Sequence, residues 1–252
     1  MRNVERLVLP VLFAGVLVAM WHFAVVLTAT AVFPSPADVF RGIVTLAERG
    51  TLWSYIGDSL LRVGVGYIAA VLSGVPAGLW LGWHPGLARA LNPVIQMLRP
   101  ISPLAWMPLA IIWFGVSNAA PIFLIFLASF LPIVVSMMNA VQNVPQAYLQ
   151  AARNFGLSTP QMIRRVIFPA VLPRAIVALR IAFGIAWIVL VASEMIAVDS
   201  GLGYLIIDAR NAGMRYDLVV GGMLLIGVIG LFLDVAIRSA ERLPSVRWGF
   251  RE

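Results

Sequence analysis

The sequence predicts an all-α membrane protein, a single polytopic domain over residues 1–252 with about six transmembrane helices. Two observations predict it. Of 252 residues, 61% are hydrophobic and 12% charged, about half the charged share of a soluble domain, and the mean hydropathy is +0.94. The apolar residues also come in runs such as Leu7–Leu27 and Ile122–Met138. Such runs are too long and too uncharged for the core helices of a soluble protein, and are of the length that crosses a bilayer.

Span one covers Leu7–Leu27, behind Arg2 and Arg6. Ala29-Thr30-Ala31 resembles a cleavage site. The apolar run exceeds the ~7–15 residues of a signal-peptide core, so an uncleaved, peripheral first helix is expected. Residues 58–240 then hold the core helices. Before them, Pro34-Ser35-Pro36-Ala37-Asp38 opens a helix, with Pro36 pre-set for its first turn. Val39, Ile43, Val44 and Leu46 recur there against Arg41, Glu48 and Arg49, which predicts an amphipathic helix at the membrane surface.

Span two, Leu60–Trp83, carries Gly66, Ala70, Gly74, Gly78 and Gly82 at every fourth position. Such a stripe lets another helix backbone come close. Span three, Leu91–Phe114, is interrupted by Pro93, Pro100, Pro103 and Pro108. Each removes a backbone donor, so this span is expected inside protein or beside a wet cavity. Span four covers Pro121–Ala140, span five Arg174–Ala197 and span six Leu218–Ile237. Between the last two, Val198–Asp217 holds Gly201-Leu202-Gly203.

Composition removes several kinds of chemistry. There is no cysteine, hence no thiol nucleophile and no thiolate metal site. The two histidines, His22 and His84, lie far apart, and no metal site is expected. All 18 basic residues are Arg. Without Lys there is no Walker A loop, no Schiff base and no Ser–Lys dyad. No catalytic residue is assigned, and no cofactor is expected on this chain.

The net charge of +7 follows from topology. With the N-terminus inside, Arg2, Arg6, Arg89, Arg153, Arg164, Arg165, Arg174, Arg238, Arg242, Arg247 and Arg251 fall on the inner side. Arg41, Arg49, Arg210 and Arg215 fall outside. The positive-inside rule then puts both termini and the polar segment 142–173 in the cytoplasm, and no nucleic-acid partner is needed.

That polar segment is organised. A short helix is expected over Pro145–Phe155, ended by Gly156, which accepts a left-handed cap. A second begins with Thr159 as N-cap and Pro160 in its first turn, and Pro169 and Pro173 stop it before span five. The product is a rigid helix–turn–helix bracket whose small Ala151 and Ala152 let another protein approach.

The run Gln150-Ala151-Ala152-Arg153-Asn154-Phe155-Gly156, nine residues, then Val166-Ile167-Phe168-Pro169 resembles the cytoplasmic loop of bacterial ABC importer permeases. Their signature reads Glu-Ala-Ala, three residues, Gly, nine residues, Ile-x-Leu-Pro. Gln150 replaces the Glu and so removes the charge of any ion pair from that position. Pro34-Ser35-Pro36, Leu98-Arg99-Pro100-Ile101-Ser102-Pro103, Trp113-Phe114-Gly115, Glu194-Met195 and Gly201-Leu202-Gly203-Tyr204 are similar to the nitrate, sulfonate and taurine subfamily. The resemblance implies the type I, MetI-like permease architecture in a bacterial inner membrane. It implies a second permease chain, two cytoplasmic ATPases that hold ATP and Mg, and a periplasmic substrate-binding protein. Gln150, Ala151, Ala152, Arg153, Phe155, Gly156 and Pro169 are then the ATPase-coupling residues, and the solute is a small anion of the sulfonate, taurine or nitrate type.

Polar residues within spans are candidates for the translocation path: Ser102, Ser129, Ser136, Asn139 and Ser193, with Trp106 beside them. Ser and Asn also act as interhelical glue. Two ion pairs are expected from matching depth. Arg62 should meet Glu194, with charge exchange between the two partly restoring function. Arg180 should meet Asp234, for which Arg238, four residues on, competes. An ion-coupled secondary transporter is the rival reading, but the acids cluster near span ends and no inverted repeat is visible.

Overall fold

The computed structural model describes residues 2–28, 33–211 and 213–239. Ala29-Thr30-Ala31 and the tail with Arg242, Arg247 and Arg251 lie outside the described residues.

The described chain is a helical bundle. Its helices are α1 (Arg2–Thr28), α2 (Pro36–Glu48), α3 (Thr51–Trp83), α4 (Pro85–Leu98), α5 (Met107–Phe114) and α6 (Ala119–Gln142). They continue as α7 (Gln146–Asn154), α8 (Thr159–Met162), α9 (Phe168–Ala197), α10 (Leu202–Asn211) and α11 (Tyr216–Ser239). Five stretches, α1, α3, α6, α8–α9 and α11, are long and apolar enough to cross a membrane. A sixth exists if α4 and the Pro103–Phe114 arm are taken as one span bent by 81°. The expected single span Leu91–Phe114 is therefore two arms. Pro85 starts α4 earlier, and Pro100 and Pro103 put the bend at 99–103.

The core forms where α3 meets α6. A Cβ placed on Gly66 would lie 2.8 Å from Ile122 O, and one on Gly78 would lie 2.5 Å from Met137 Cβ. One on Gly82 would lie 2.6 Å from Val141 Cβ, and one on Gly74 3.0 Å from Ile133 Cγ2. The partners advance in step with the glycines, so the two helices run parallel with their i, i+4 rows interdigitated. At these four positions a Cβ would crowd α6, while Ala70 packs its small methyl in the same seam, and the ladder does face a helix. Against α6 packs α9, around Val171, Ala175, Ala182, Ile133 and Met137, and Tyr67 donates to Leu179 O at 2.8 Å.

The amphipathic segment forms α2, Pro36–Glu48. Ser35 caps α2 and takes part in a reciprocal capping box with Asp38. The Ser35 hydroxyl holds the Asp38 carboxyl below the ordinary aspartate value of 3.8. The following helix, α3, starts at Thr51, earlier than the expected span two. Val39 is buried, and Ile43 comes against Gly221 of α11, so α2 has a protein partner along this face. In α1, by contrast, every described side chain is exposed or only partly covered.

Candidate functional site

At the end of the bundle where α3 and α6 finish, α7 and α8 form the bracket. Pro145 precedes α7, and Ala152 buries its small side chain. At the other end of α7 the Leu157 N–H donates to Ala152 O at 3.1 Å and the Gly156 N–H to Arg153 O at 2.9 Å. That pair of bonds is a Schellman motif, which needs a left-handed residue; Gly156 supplies it with φ +68. Gln150, Ala151, Arg153 and Phe155 are exposed, Phe155 at 83%. A large aromatic ring standing free at a rigid corner is a ready anchor for another protein.

The second helix of the bracket differs from expectation. Its N-cap is Ser158, not Thr159, because Gln161 reaches back to the Ser158 N–H at 3.0 Å and completes a capping box. Nor do Pro169 and Pro173 stop it. A π turn over Ile163–Ile167, in which the Phe168 N–H bonds Ile163 O, joins α8 to α9. The widened turn shifts the register just before Pro169, so the missing donor and the ring are accommodated instead of breaking the helix. The bracket is thus joined to one continuous helical stretch, Thr159–Ala197.

At the opposite end lies a buried ionic cluster. Arg62 Nη1 stands 2.7 Å from Glu194 Oε1, with the two side chains 1% and 0% exposed. Ser59 donates to both carboxylate oxygens, at 2.8 and 2.9 Å. The Gly203 N–H donates to Oε2 at 3.0 Å. The rest of the guanidinium is satisfied by Asn118 Oδ1, Ser200 O and Ser200 Oγ. No buried side-chain nitrogen or oxygen among the described residues lacks a partner. Ser59, Asn118, Ser200 and Gly203 were not legible as members of the cluster. Their one signal was the Gly201-Leu202-Gly203 run, whose glycines leave room for the ion pair: Gly201 has φ +107, and a Cβ there would lie 2.6 Å from Arg62 Nη1.

The second expected pair is also present. Arg180 Nε and Nη2 donate to Asp234 at 2.7 and 2.9 Å, a bidentate contact of α9 with α11. These side chains keep 32% and 41% of their surface.

The path candidates divide. Ser129 and Ser193 are fully buried and spend their hydroxyls on their own helices, at Ile125 O and Leu190 O. They are packing residues, a correction to the expectation that they face the path. Ser136 and Asn139 do line an open cavity of about 410 Å³ between α6 and α9, with Asn143 and Arg174. A second cavity, about 370 Å³, shares Ser136 and Ile181 with it and reaches Arg99 and Pro103. Ser102 is exposed at the bend of the broken span, and Trp106 is partly covered there, packed near Met107.

Known proteins share this arrangement. The sequence profile of the binding-protein-dependent transport system inner membrane component matches residues 74–243. The taurine transport system permease protein TauC of Escherichia coli (strain K12) is 35% identical over 235 residues, 91% of this chain and 85% of that one. The nitrate import permease protein NrtB of Leptolyngbya laminosa is 36% identical over 198 residues, 79% of this chain and 70% of its own. In fold, a chain of the inward-facing MetNI methionine ABC transporter superposes with a TM-score of 0.66 at 20% identity, covering 78% of this chain and 97% of that one. The profile match and the two relatives place the bracket and the bundle in one family: the chain belongs to the binding-protein-dependent transport system inner membrane components, as an ABC importer permease of the nitrate, sulfonate and taurine type.

Proposed function

We propose that this chain forms the translocation path of an ATP-driven importer for a small anionic solute, of the sulfonate, taurine or nitrate type, delivered by a periplasmic binding protein. Two copies of the chain associate, and two cytoplasmic ATPases, which hold ATP and Mg, dock on their brackets. Both termini face the cytoplasm, α1 lies at the periphery, and the domain occupies the whole chain. The observation that carries this reading is the bracket, where Phe155 stands 83% exposed beside the left-handed Gly156 and α8 runs on into α9. Closure of the ATPases on ATP would draw the two brackets together and switch the path between inward-open and outward-open states. Gln150 contributes a hydrogen-bonding amide to the docked surface without a charge.

The test is co-expression with the ATPase and binding protein of the same transporter, followed by purification and reconstitution. The expected result is a stable permease–ATPase complex whose ATP hydrolysis rises with the loaded binding protein, and which accumulates radiolabelled taurine or nitrate only when ATP is supplied. Uptake that persists without ATP, driven by an ion gradient, would overturn the reading.

A further inference from the structure

Arg99 sits in the turn between the two arms of the broken span, in the chain from α4 to the 3₁₀ turn Pro103–Trp106. The cavity it lines is formed by Leu127, Leu131, Val135 and Ser136 of α6 and by Ile181 and Ile185 of α9. These positions are the middle of α6 and the middle of α9. Arg99 is therefore at mid-bundle, away from either end. α4 agrees: its 14 residues carry the chain about 21 Å from the Trp83 end before the bend.

Arg99 is exposed. Among the described residues no hydrogen bond or ion pair reaches its guanidinium. The contrast with Arg62 is sharp, since every donor set of that buried arginine is matched. A permanently charged side chain at mid-membrane depth cannot face acyl chains without cost, and such residues mark solute paths. The proline-broken backbone around it likewise belongs beside a wet cavity.

The cavity has a neighbour. It shares Ser136 and Ile181 with the neighbouring groove, in which Asn139, Asn143 and Arg174 gather toward the bracket end. Asn139 of α6 and Asn143, which caps that helix, line the groove with Arg174 of α9. Arg174 also has no partner among the described residues. Neither groove is lined by an Asp or a Glu. A passage with two unpaired arginines, amide and hydroxyl groups and no carboxylate favours anions and repels cations.

We infer that Arg99 and Ser136 form a mid-membrane binding site for a small oxyanion group, and that Arg174 with Asn139 and Asn143 forms its exit toward the cytoplasm. The inference rests on the reading of this chain as an anion importer's permease and names the residues that select the anion. A guanidinium presents paired N–H donors that match two oxygens of a sulfonate or nitrate group. The Ser136 hydroxyl supplies a further donor. Sharing the solute between two sites keeps each weak enough to release it.

The test uses the full transporter with its ATPase and binding protein in vesicles, with radiolabelled taurine and nitrate as probes. Arg99→Gln is expected to lower uptake by about tenfold or more, the effect of losing a charge-assisted contact, while ATP hydrolysis stimulated by the binding protein persists. Arg99→Lys is expected to recover part of the uptake, and Arg174→Gln to lower it less. Normal uptake by Arg99→Gln overturns the site alone. Loss of both uptake and stimulated hydrolysis in Arg99→Gln, with no recovery in Arg99→Lys, also overturns it, because the arginine is then structural. Uptake of neither anion by the unsubstituted protein overturns the anion-importer reading itself, and the site with it. A phospholipid headgroup is the other source of an oxyanion. A phospholipid that copurifies with the complex in native mass spectrometry and is lost in Arg99→Gln, with uptake unchanged, would assign the arginine to lipid and overturn the proposal.

Discussion

Arg62 of α3 and Glu194 of α9 meet at 2.7 Å inside the bundle, with Ser59, Asn118, Ser200 and the Gly203 N–H closing every remaining valence. The cluster ties three helices and two turns at the end of the molecule opposite the bracket. Its members are distributed by polarity. Acceptors surround the arginine, and donors surround the carboxylate. The two positions are not interchangeable.

Breaking this pair leaves a buried charge without its partner, a loss of about 3–5 kcal/mol in comparable cases. Arg62→Gln and Glu194→Gln should each lower the thermal stability of the purified protein markedly, whereas Asp234→Asn should cost less because that pair is partly solvated. The exchange Arg62→Glu with Glu194→Arg should stay defective, contrary to the simple expectation from charge alone. The Gly203 N–H would then point at a cation, and Asn118 Oδ1 and Ser200 O at a carboxylate. Melting curves in detergent for the two single variants and the double variant decide this, and full rescue by the exchange would contradict it.

Gly156 is left-handed, but a Cβ there would meet nothing within 4 Å. The cost of a substitution is therefore backbone strain and not a clash. Gly156→Asn, a residue tolerant of that region, should keep ATPase binding and transport, and Gly156→Val should lose both while still inserting normally. Pull-down of the ATPase with each variant is the measurement. Equal binding by both would show that the cap geometry is irrelevant to docking.

The ladder allows a sharper comparison. A Cβ on Gly78 would fall 2.5 Å from Met137 Cβ and 2.7 Å from Val134 O, whereas one on Gly57 of the same helix meets nothing. Gly78→Val should destabilise the bundle by about 1–3 kcal/mol through forced separation of α3 and α6. Gly57→Val should be near neutral. Comparable melting temperatures for the two variants would argue against close backbone contact.

The start of α2 should respond to acid. Ser35 holds the Asp38 carboxyl below its ordinary value. A lowered folded-state pKa means that the contribution is complete above the unfolded value, about 3.9, and disappears as pH falls through the lower folded one. Hydrogen exchange in residues 36–41, corrected for intrinsic rates, should accelerate below about pH 4 in the native chain. In Asp38→Asn it should already be faster at neutral pH and show no such step.

The sequence by itself determined the class of molecule, the number of apolar spans, the close-packing ladder and the bracket, because each rests on local information. Hydropathy sets what enters lipid, glycine spacing sets where a backbone can approach, and the Gly156 cap needs only its neighbours in the chain. It also named Arg62–Glu194 and Arg180–Asp234, since charges at equal depth within apolar spans need partners. The tertiary structure alone decided what depends on which helices are neighbours. Ser129 and Ser193, read as path residues, turn inward onto the Ile125 and Leu190 carbonyls of their own helices, whereas Ser136 and Asn139 face open space. A serine in an apolar span has one sequence signature for both fates. Pro169 looked like a helix stop, yet one π turn absorbs it, a register change that local propensity does not encode. The Gly201-Leu202-Gly203 turn became a cradle for Glu194 only when α3 brought Arg62 and Ser59 against it, because that cavity is made by segments more than a hundred residues apart and exists only once they have packed.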